Sequence, residues 1–228
     1  IEVHTIVGNH TAYYKNTNDI NAIDLLLREY DNVKVYSEAT SIDVCGLNVL
    51  LVPWINQENK DRTLAMINKT SSPVCMGHLE LQGFKVNEHV VMDHGFDIKP
   101  FEKFTKVFSG HFHTRSTQDN ISYLGNPYEI YWNDHEDTRG FHFFDTETLE
   151  TTPVNNPYRL FYKVYYSDTD YQLFNASELE NKIVKLIVRQ KNDTKKFEKF
   201  IDKLYTANVA ELKIVENFDF NGWYDKED

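Results

Sequence analysis

Two histidines one residue apart follow a short apolar run in Val107-Phe108-Ser109-Gly110-His111-Phe112-His113. A strand that stops at a glycine and then presents His-x-His can aim both imidazoles at one small volume. Neutral imidazole is a common metal ligand, and glycine lets the backbone pass close beside a site. The pattern recurs. Ile6-Val7-Gly8-Asn9-His10 and Val74-Cys75-Met76-Gly77-His78 are also apolar runs ending in Gly followed by Asn-His or His. Three such endings point to one constellation at the C-terminal edge of a sheet, where open α/β sheets place their sites. Any one of these histidines alone reads best as a core or loop residue; four at repeated strand ends read as a site.

Asn9, His78, His111 and His113 together offer one amide oxygen and three imidazoles. Such donors suit manganese, iron or zinc better than magnesium or calcium, which prefer all-oxygen shells. His10 follows Asn9 directly, where it could protonate a leaving oxygen or stabilise transition-state charge. The chemistry such residues support is metal-assisted hydrolysis, with two metals about 3.5–4 Å apart holding a phosphoryl group. His4, His89, His94, His135 and His142 lack this context and read as structural or surface residues. Glu80 reads as a solvated residue or an outer neighbour at the site edge, and the spacing of Asp93 and His94 does not favour them as ligands.

The elements that must position these residues begin with a strand over 2–7 and an amphipathic helix over 20–30, with Asp19 as its N-cap. Strands over 33–36 and 41–44 follow, then a buried strand over 47–52 that Pro53 ends. A helix over 58–68 turns Leu64 and Ile67 inward, and a strand over 73–76 delivers His78. A short helix over 100–103, strands over 105–108 and 121–124, and a hairpin of 140–144 with 149–154 complete the first part. This order fits an α/β (α+β) fold of two mixed sheets with helices outside. Asn155-Asn156-Pro157 marks a boundary. Beyond it, strands over 159–166 and 183–190, a helix over 194–206 and a strand over 210–215 form a β-α-β appendage.

The 228 residues are 41% hydrophobic and carry a formal charge of −11. No apolar run approaches the roughly 20 residues that span a bilayer, and the first residues lack a signal-peptide pattern. A cytoplasmic protein with no membrane partner is expected, with Cys45 and Cys75 as reduced core residues. The acidic total argues mildly against a large nucleic-acid surface, but Lys182 to Lys203 holds eight basic residues against three acidic ones. That stretch suits phosphate contacts about as well as it suits a solvated helix face. The chain opens on Ile in mid-strand, as a fragment of a longer protein would.

The Gly8-Asn9-His10, Gly77-His78 and Gly110-His111-Phe112-His113 blocks resemble the later motifs of the calcineurin-like metallophosphoesterases. Their spacing, Trp54 after Pro53, Gly125-Asn126-Pro127-Tyr128 and Arg139-Gly140-Phe141 narrow the resemblance to SbcD-type DNA-repair nucleases, and among them to the recombination endonuclease subunits of T-even bacteriophages. The resemblance implies a two-sheet β-sandwich core flanked by helices over 1–156, a β-α-β DNA-capping domain over 157–217 and an acidic tail over 218–228. It implies two divalent metal ions, manganese first and magnesium as the alternative. Asn9, His78 and His111 would hold the second metal and His113 the first, with His10 as the catalytic histidine near the leaving group. It further implies 3′-to-5′ exonuclease and endonuclease action on DNA, an SbcC-type SMC-like ATPase partner, a homodimer at full length, and the cytoplasm of a bacterium or a phage-infected host.

Two features depart from the family. Its Asp-x-His and Gly-Asp-x-x-Asp motifs precede the Asn-His block and are not in this sequence, and its Asp after Gly-Asn-His is Thr11 here. The stretch on its own is therefore expected to be inactive, or to bind one metal weakly. The competing readings are a metallophosphoesterase acting on phosphomonoesters or nucleotides, and a non-catalytic scaffold subunit; the basic appendage favours the nuclease.

Overall fold

The computed structural model describes residues 1–86, 90–168 and 171–216. His89 and the tail expected over 218–228 lie outside them. The chain divides between Asn156 and Pro157 into two compact units. Among the described residues no helix is long and apolar enough to cross a membrane. Strands dominate and helices are few, so the fold is α+β.

In the first unit β1 (Val3–Ile6) pairs in parallel with β2 (Val33–Tyr36), from Val3 opposite Val33 to Ile6 opposite Tyr36. Between them α1 spans only Ala22–Leu27, shorter than the apolar spacing predicts, and buries none of its residues. Asn21, not Asp19, is its cap, accepting the Asp24 amide at 2.8 Å. The helix stops early because two turns, closed by Tyr30 N–Leu27 O and Val33 N–Tyr30 O, bring the chain into β2.

A six-stranded sheet follows, built of β3 (Thr40–Val44), β4 (Leu47–Val52), β5 (Val74–Gly77), β6 (Lys106–Ser109), β7 (Ser116–Gln118) and β8 (Ile121–Tyr123) in the order β3-β4-β5-β6-β8-β7. Its four inner strands run parallel and the two outer ones antiparallel to their neighbours. Val49–Val52 of β4, Val74–Met76 of β5 and Val107–Phe108 of β6 are apolar runs because both faces of the sheet are covered. Leu50, Val52, Cys75, Val107 and Ile121 pack on one face with Ile67 of α2 (Lys60–Lys69). Val49, Leu51, Val74 and Phe108 pack on the other, against Ile6 and Tyr36 of β1 and β2 and against Phe144 and Leu149. These last two belong to the hairpin of β9 (Gly140–Phe144) and β10 (Thr151–Asn155) and to its turn.

Cys75 is buried, but Cys45 is exposed. Cys45 and Gly46 form the two-residue turn between β3 and β4, with φ of +53° and +86°. A two-residue hairpin with positive φ at both positions sits at the sheet edge, which removes Cys45 from the expected core. The helix expected over 100–103 is a single 3-10 turn at Lys99–Phe101.

The second unit is a three-stranded parallel sheet of β11 (Phe161–Tyr165), β12 (Ile183–Val188) and β13 (Glu211–Glu216), in that order. The crossover to β13 is α3 (Thr194–Thr206), capped by Asp193 through the Lys196 amide at 3.2 Å. Phe197, Phe200 and Leu204 of α3 bury against Val164, Val184, Leu186 and Val188.

Candidate metal centre

The ends of β1, β5 and β6 converge. Asn9 Oδ1 lies 2.8 Å from His78 Nε2, which lies 3.3 Å from His111 Nδ1. The strands deliver these groups through backbone contacts beyond their ends: the His78 amide donates to Val52 O at 2.9 Å, the Trp54 amide to Val7 O at 2.8 Å and the Gly110 amide to Gly77 O at 3.0 Å. His111 holds a left-handed φ of +67°, which turns its ring back toward His78. A methyl group at Gly8 would come within 3.1 Å of the His78 ring, so only a glycine lets the backbone lie this close. Thr11 closes this loop: its hydroxyl accepts the Gly8 amide and donates to Gly8 O, both at 3.0 Å.

Burial, reinforced by the positive charges of His111 and His10, pushes His78 down to about 4. Burial also lowers His111, with Glu80 opposing the shift. Both rings are thus neutral at pH 7 and present lone pairs, as metal ligands must. Glu80 stands at the rim, 3.7 Å from His111 Nε2 and 3.9 Å from His94 Nε2. His10 is close enough for its charge to act on both His78 and His111.

His113 keeps different company. Its ring stacks on Tyr131 at 5.6 Å and 6°, and its Nδ1 lies 3.6 Å from Asp134 Oδ1. Asp134 pairs with Arg139 at 2.9 Å, and Arg139 donates through Nη1 to the His113 carbonyl. Burial alone would raise the Asp134 carboxyl, but the His113 ring, the Ile130 and Tyr131 amides and the Arg139 charge outweigh it and hold the group at about 2.

The donor set fits part of a metal shell. Atoms about 2.1 Å from a metal and at right angles lie about 3 Å apart, and the 2.8 and 3.3 Å spacings around His78 Nε2 are of that size. Among the described residues, however, no three His, Cys, Asp or Glu side chains gather in a way that could hold a metal ion. The cluster reaches three donors only by counting the Asn9 amide.

No family model matches the chain. Over 224 residues it is 38% identical to exonuclease subunit 1 of Enterobacteria phage T4, in a match that covers 96% of this chain and 63% of that protein. The chain is similar to a phage exonuclease subunit. The match runs along nearly the whole chain, which spans less than two thirds of the phage relative's length.

Asn9, His78 and His111 were legible from their repeated strand endings. Asp134 and Tyr131 were not, because they occupy an irregular loop around a 3-10 turn, and Arg139 entered only through the Arg139-Gly140-Phe141 match. The basic stretch after residue 181 divides in two. Lys182 donates to Arg159 O, Lys203 to Tyr171 O, Arg189 and Lys191 lie over the Tyr165 and Phe197 rings, and Lys185 is buried. Lys195, Lys196 and Lys199 remain exposed on α3.

Proposed function

We propose that this chain is part of a DNA nuclease subunit that hydrolyses phosphodiester bonds with two divalent metal ions, manganese first and magnesium as the alternative. The observation that carries the reading is the convergence of Asn9, His78 and His111 at the ends of three strands, in a chain similar to a protein named as a phage exonuclease subunit. In this reading the first unit is a metallophosphoesterase sandwich. The covering of both faces of its six-stranded sheet by strands, a hairpin and a helix supports that.

Bound metals would supply Lewis-acid charge to the phosphoryl group and lower the pKa of a water. The chain's own residues do the rest. Asn9 Oδ1, His78 Nε2 and His111 hold one metal, and His113 holds the other. His10, whose charge reaches both His78 and His111, protonates or hydrogen-bonds the leaving oxygen. Glu80 orients His111 from the rim. The exposed lysines of α3 give the second unit its phosphate contacts, as a DNA cap. The donors present are too few for two metals, so this stretch alone is inactive or holds one metal weakly; a polypeptide that also carries the Asp-x-His and Gly-Asp-x-x-Asp motifs is the nuclease. It acts as 3′-to-5′ exonuclease and endonuclease, as a homodimer, with an SbcC-type ATPase subunit, in the cytoplasm.

The test is manganese-dependent cleavage of linear double-stranded DNA by the full-length polypeptide beside its His111→Ala variant. Cleavage by the first and none by the second is the expected result. Hydrolysis of a simple phosphomonoester with no action on DNA would transfer the protein to a different metallophosphoesterase class. Silence in both assays, with the ATPase subunit present, would leave a scaffold.

A further inference from the structure

We infer that Asp134 and Arg139 act as a buried clamp that fixes which nitrogen of His113 faces the metal centre. Asp134 and Arg139 are 2% and 4% exposed. Two charges taken out of water gain little net stability unless every lone pair and proton is matched. Asp134 also caps the 3-10 turn at Trp132–Asp134 and Arg139 also pairs with Asp137 at 3.0 Å, but the remaining contacts of the pair converge on His113. Asp134 Oδ2 accepts the Ile130 and Tyr131 amides at 2.8 and 3.0 Å. Its other oxygen, Oδ1, receives Arg139 Nη2 at 2.9 Å and faces His113 Nδ1 at 3.6 Å. Arg139 reaches the same histidine from behind, donating to its backbone carbonyl. Tyr131 fixes the plane of the ring from one face. Backbone, ring plane and ring edge of His113 are thus each held by one of three neighbours.

The chemical consequence is a choice of tautomer. A neutral imidazole carries one proton, and a carboxylate beside Nδ1 favours the form with that proton on Nδ1. Nε2 then keeps its lone pair. Metal-binding histidines commonly present one nitrogen while the other gives its N–H to a carboxylate or carbonyl, and that outer partner raises ligand basicity. Asp134 is accordingly a positioning residue that acts through His113. The purpose of the bare Nε2 rests on the metal-centre reading above; the tautomer does not.

The experiment is long-range proton–nitrogen NMR of the ¹⁵N-labelled, metal-free chain, at a pH well above the ordinary histidine pKa. His113 is assigned by the signals that vanish in His113→Gln. The wild-type chain is expected to show the proton on Nδ1. In Asp134→Asn, whose side-chain oxygen can still accept the Ile130 and Tyr131 amides, the Nε2–H form is expected to become the major one. A wild-type His113 with a bare Nδ1 overturns the inference without any variant, so it stays decidable even if Asp134→Asn does not fold. An unchanged tautomer ratio in a folded Asp134→Asn overturns it as well. Manganese that fails to broaden the His111 signals would remove the metal centre, while an Nδ1 proton on His113 in the same sample would still uphold the clamp.

Discussion

His78 Nε2 lies 2.8 Å from Asn9 Oδ1 across 69 residues of sequence, and the backbone of Gly8 runs against the same imidazole. The contact depends on there being no side chain at Gly8. In Gly8→Ala the added carbon would stand 3.1–3.3 Å from three atoms of the His78 ring. The ring must give by a few tenths of an ångström, which moves a donor atom more than it disturbs the fold. The expected outcome is a stability loss of about 1 kcal/mol with roughly a tenfold loss in manganese affinity. Thermal unfolding and titration calorimetry on one preparation check it; equal affinities for the two proteins would remove His78 from the centre.

A second expectation concerns what lies behind that contact. Asn18 donates to Ser37 O at 3.1 Å and Trp54 O at 2.9 Å, and accepts from Asn56 Nδ2 at 3.0 Å. Asn59 adds a bond to Trp54 O, and the Trp54 amide donates to Val7 O. A buried amide network therefore ties the exit of β4 to the exit of β1, directly before Gly8 and Asn9. Asn18→Ala leaves the Ser37 carbonyl and the Asn56 side-chain amide without these partners, while Trp54 O keeps its bond from Asn59, and each stranded group costs about 1–3 kcal/mol. Urea unfolding should show a loss of about 2–4 kcal/mol; a shift under about 0.5 kcal/mol would mean that water replaces the network.

These two cases show where sequence reading reaches and where it stops. Strands β4, β5 and β6 and helix α3 were legible, the strands as short apolar runs and α3 as a complete i, i+3, i+4, i+7, i+8 stripe. Asn9, His78 and His111 were legible because the same ending recurs on three strands. The polar edge strand β7 was not, since Ser116–Gln118 becomes a strand only by pairing with β8. The α1 stripe misled, because Ile20, Leu26 and Tyr30 keep helical spacing yet stay exposed. Asn18, Asn56 and Asn59 look like turn residues until tertiary structure buries them. The pairing of Asp134 with Arg139 is set by a loop that carries no period at all.

In the second unit, core and surface of one helix should separate cleanly. Phe200 is fully buried, 5.6 Å from the Tyr166 ring and 5.3 Å from Phe174. Phe200→Ala should cost about 3–5 kcal/mol. Replacing exposed Lys195, Lys196 and Lys199 together by Ala should change stability by less than about 0.5 kcal/mol per site. The same triple variant should weaken double-stranded DNA binding and flatten its salt dependence, by about 0.9 in the log–log slope for each phosphate no longer neutralised. Fluorescence anisotropy across a salt series reads this; an unchanged slope would place the DNA-binding surface elsewhere.

The last expectation is a pH dependence, and its sign follows from His78. Burial, with the charges of His111 and His10, takes this ring from the ordinary 6.5 to about 4 in the folded chain. The unfolded chain therefore takes up the proton first as pH falls. The stability that comes from keeping His78 neutral is complete above pH 6.5 and is lost progressively toward pH 4, where the folded ring also titrates and the loss levels off. At about 1.4 kcal/mol per pKa unit, the loss between neutral pH and pH 4 is up to about 3 kcal/mol. His111, lowered mainly by burial, adds to the loss in the same direction. The measurement is urea unfolding of the metal-free chain, in chelator, at a series of pH values from about 7 down to about 4, beside His78→Asn. The wild type should lose stability through this window while the variant, with no ring to titrate at that position, follows a flatter curve. Parallel curves for the two proteins would show that the His78 ring is not held neutral by its burial, and the lone pair assigned to it in the centre would lose its physical basis.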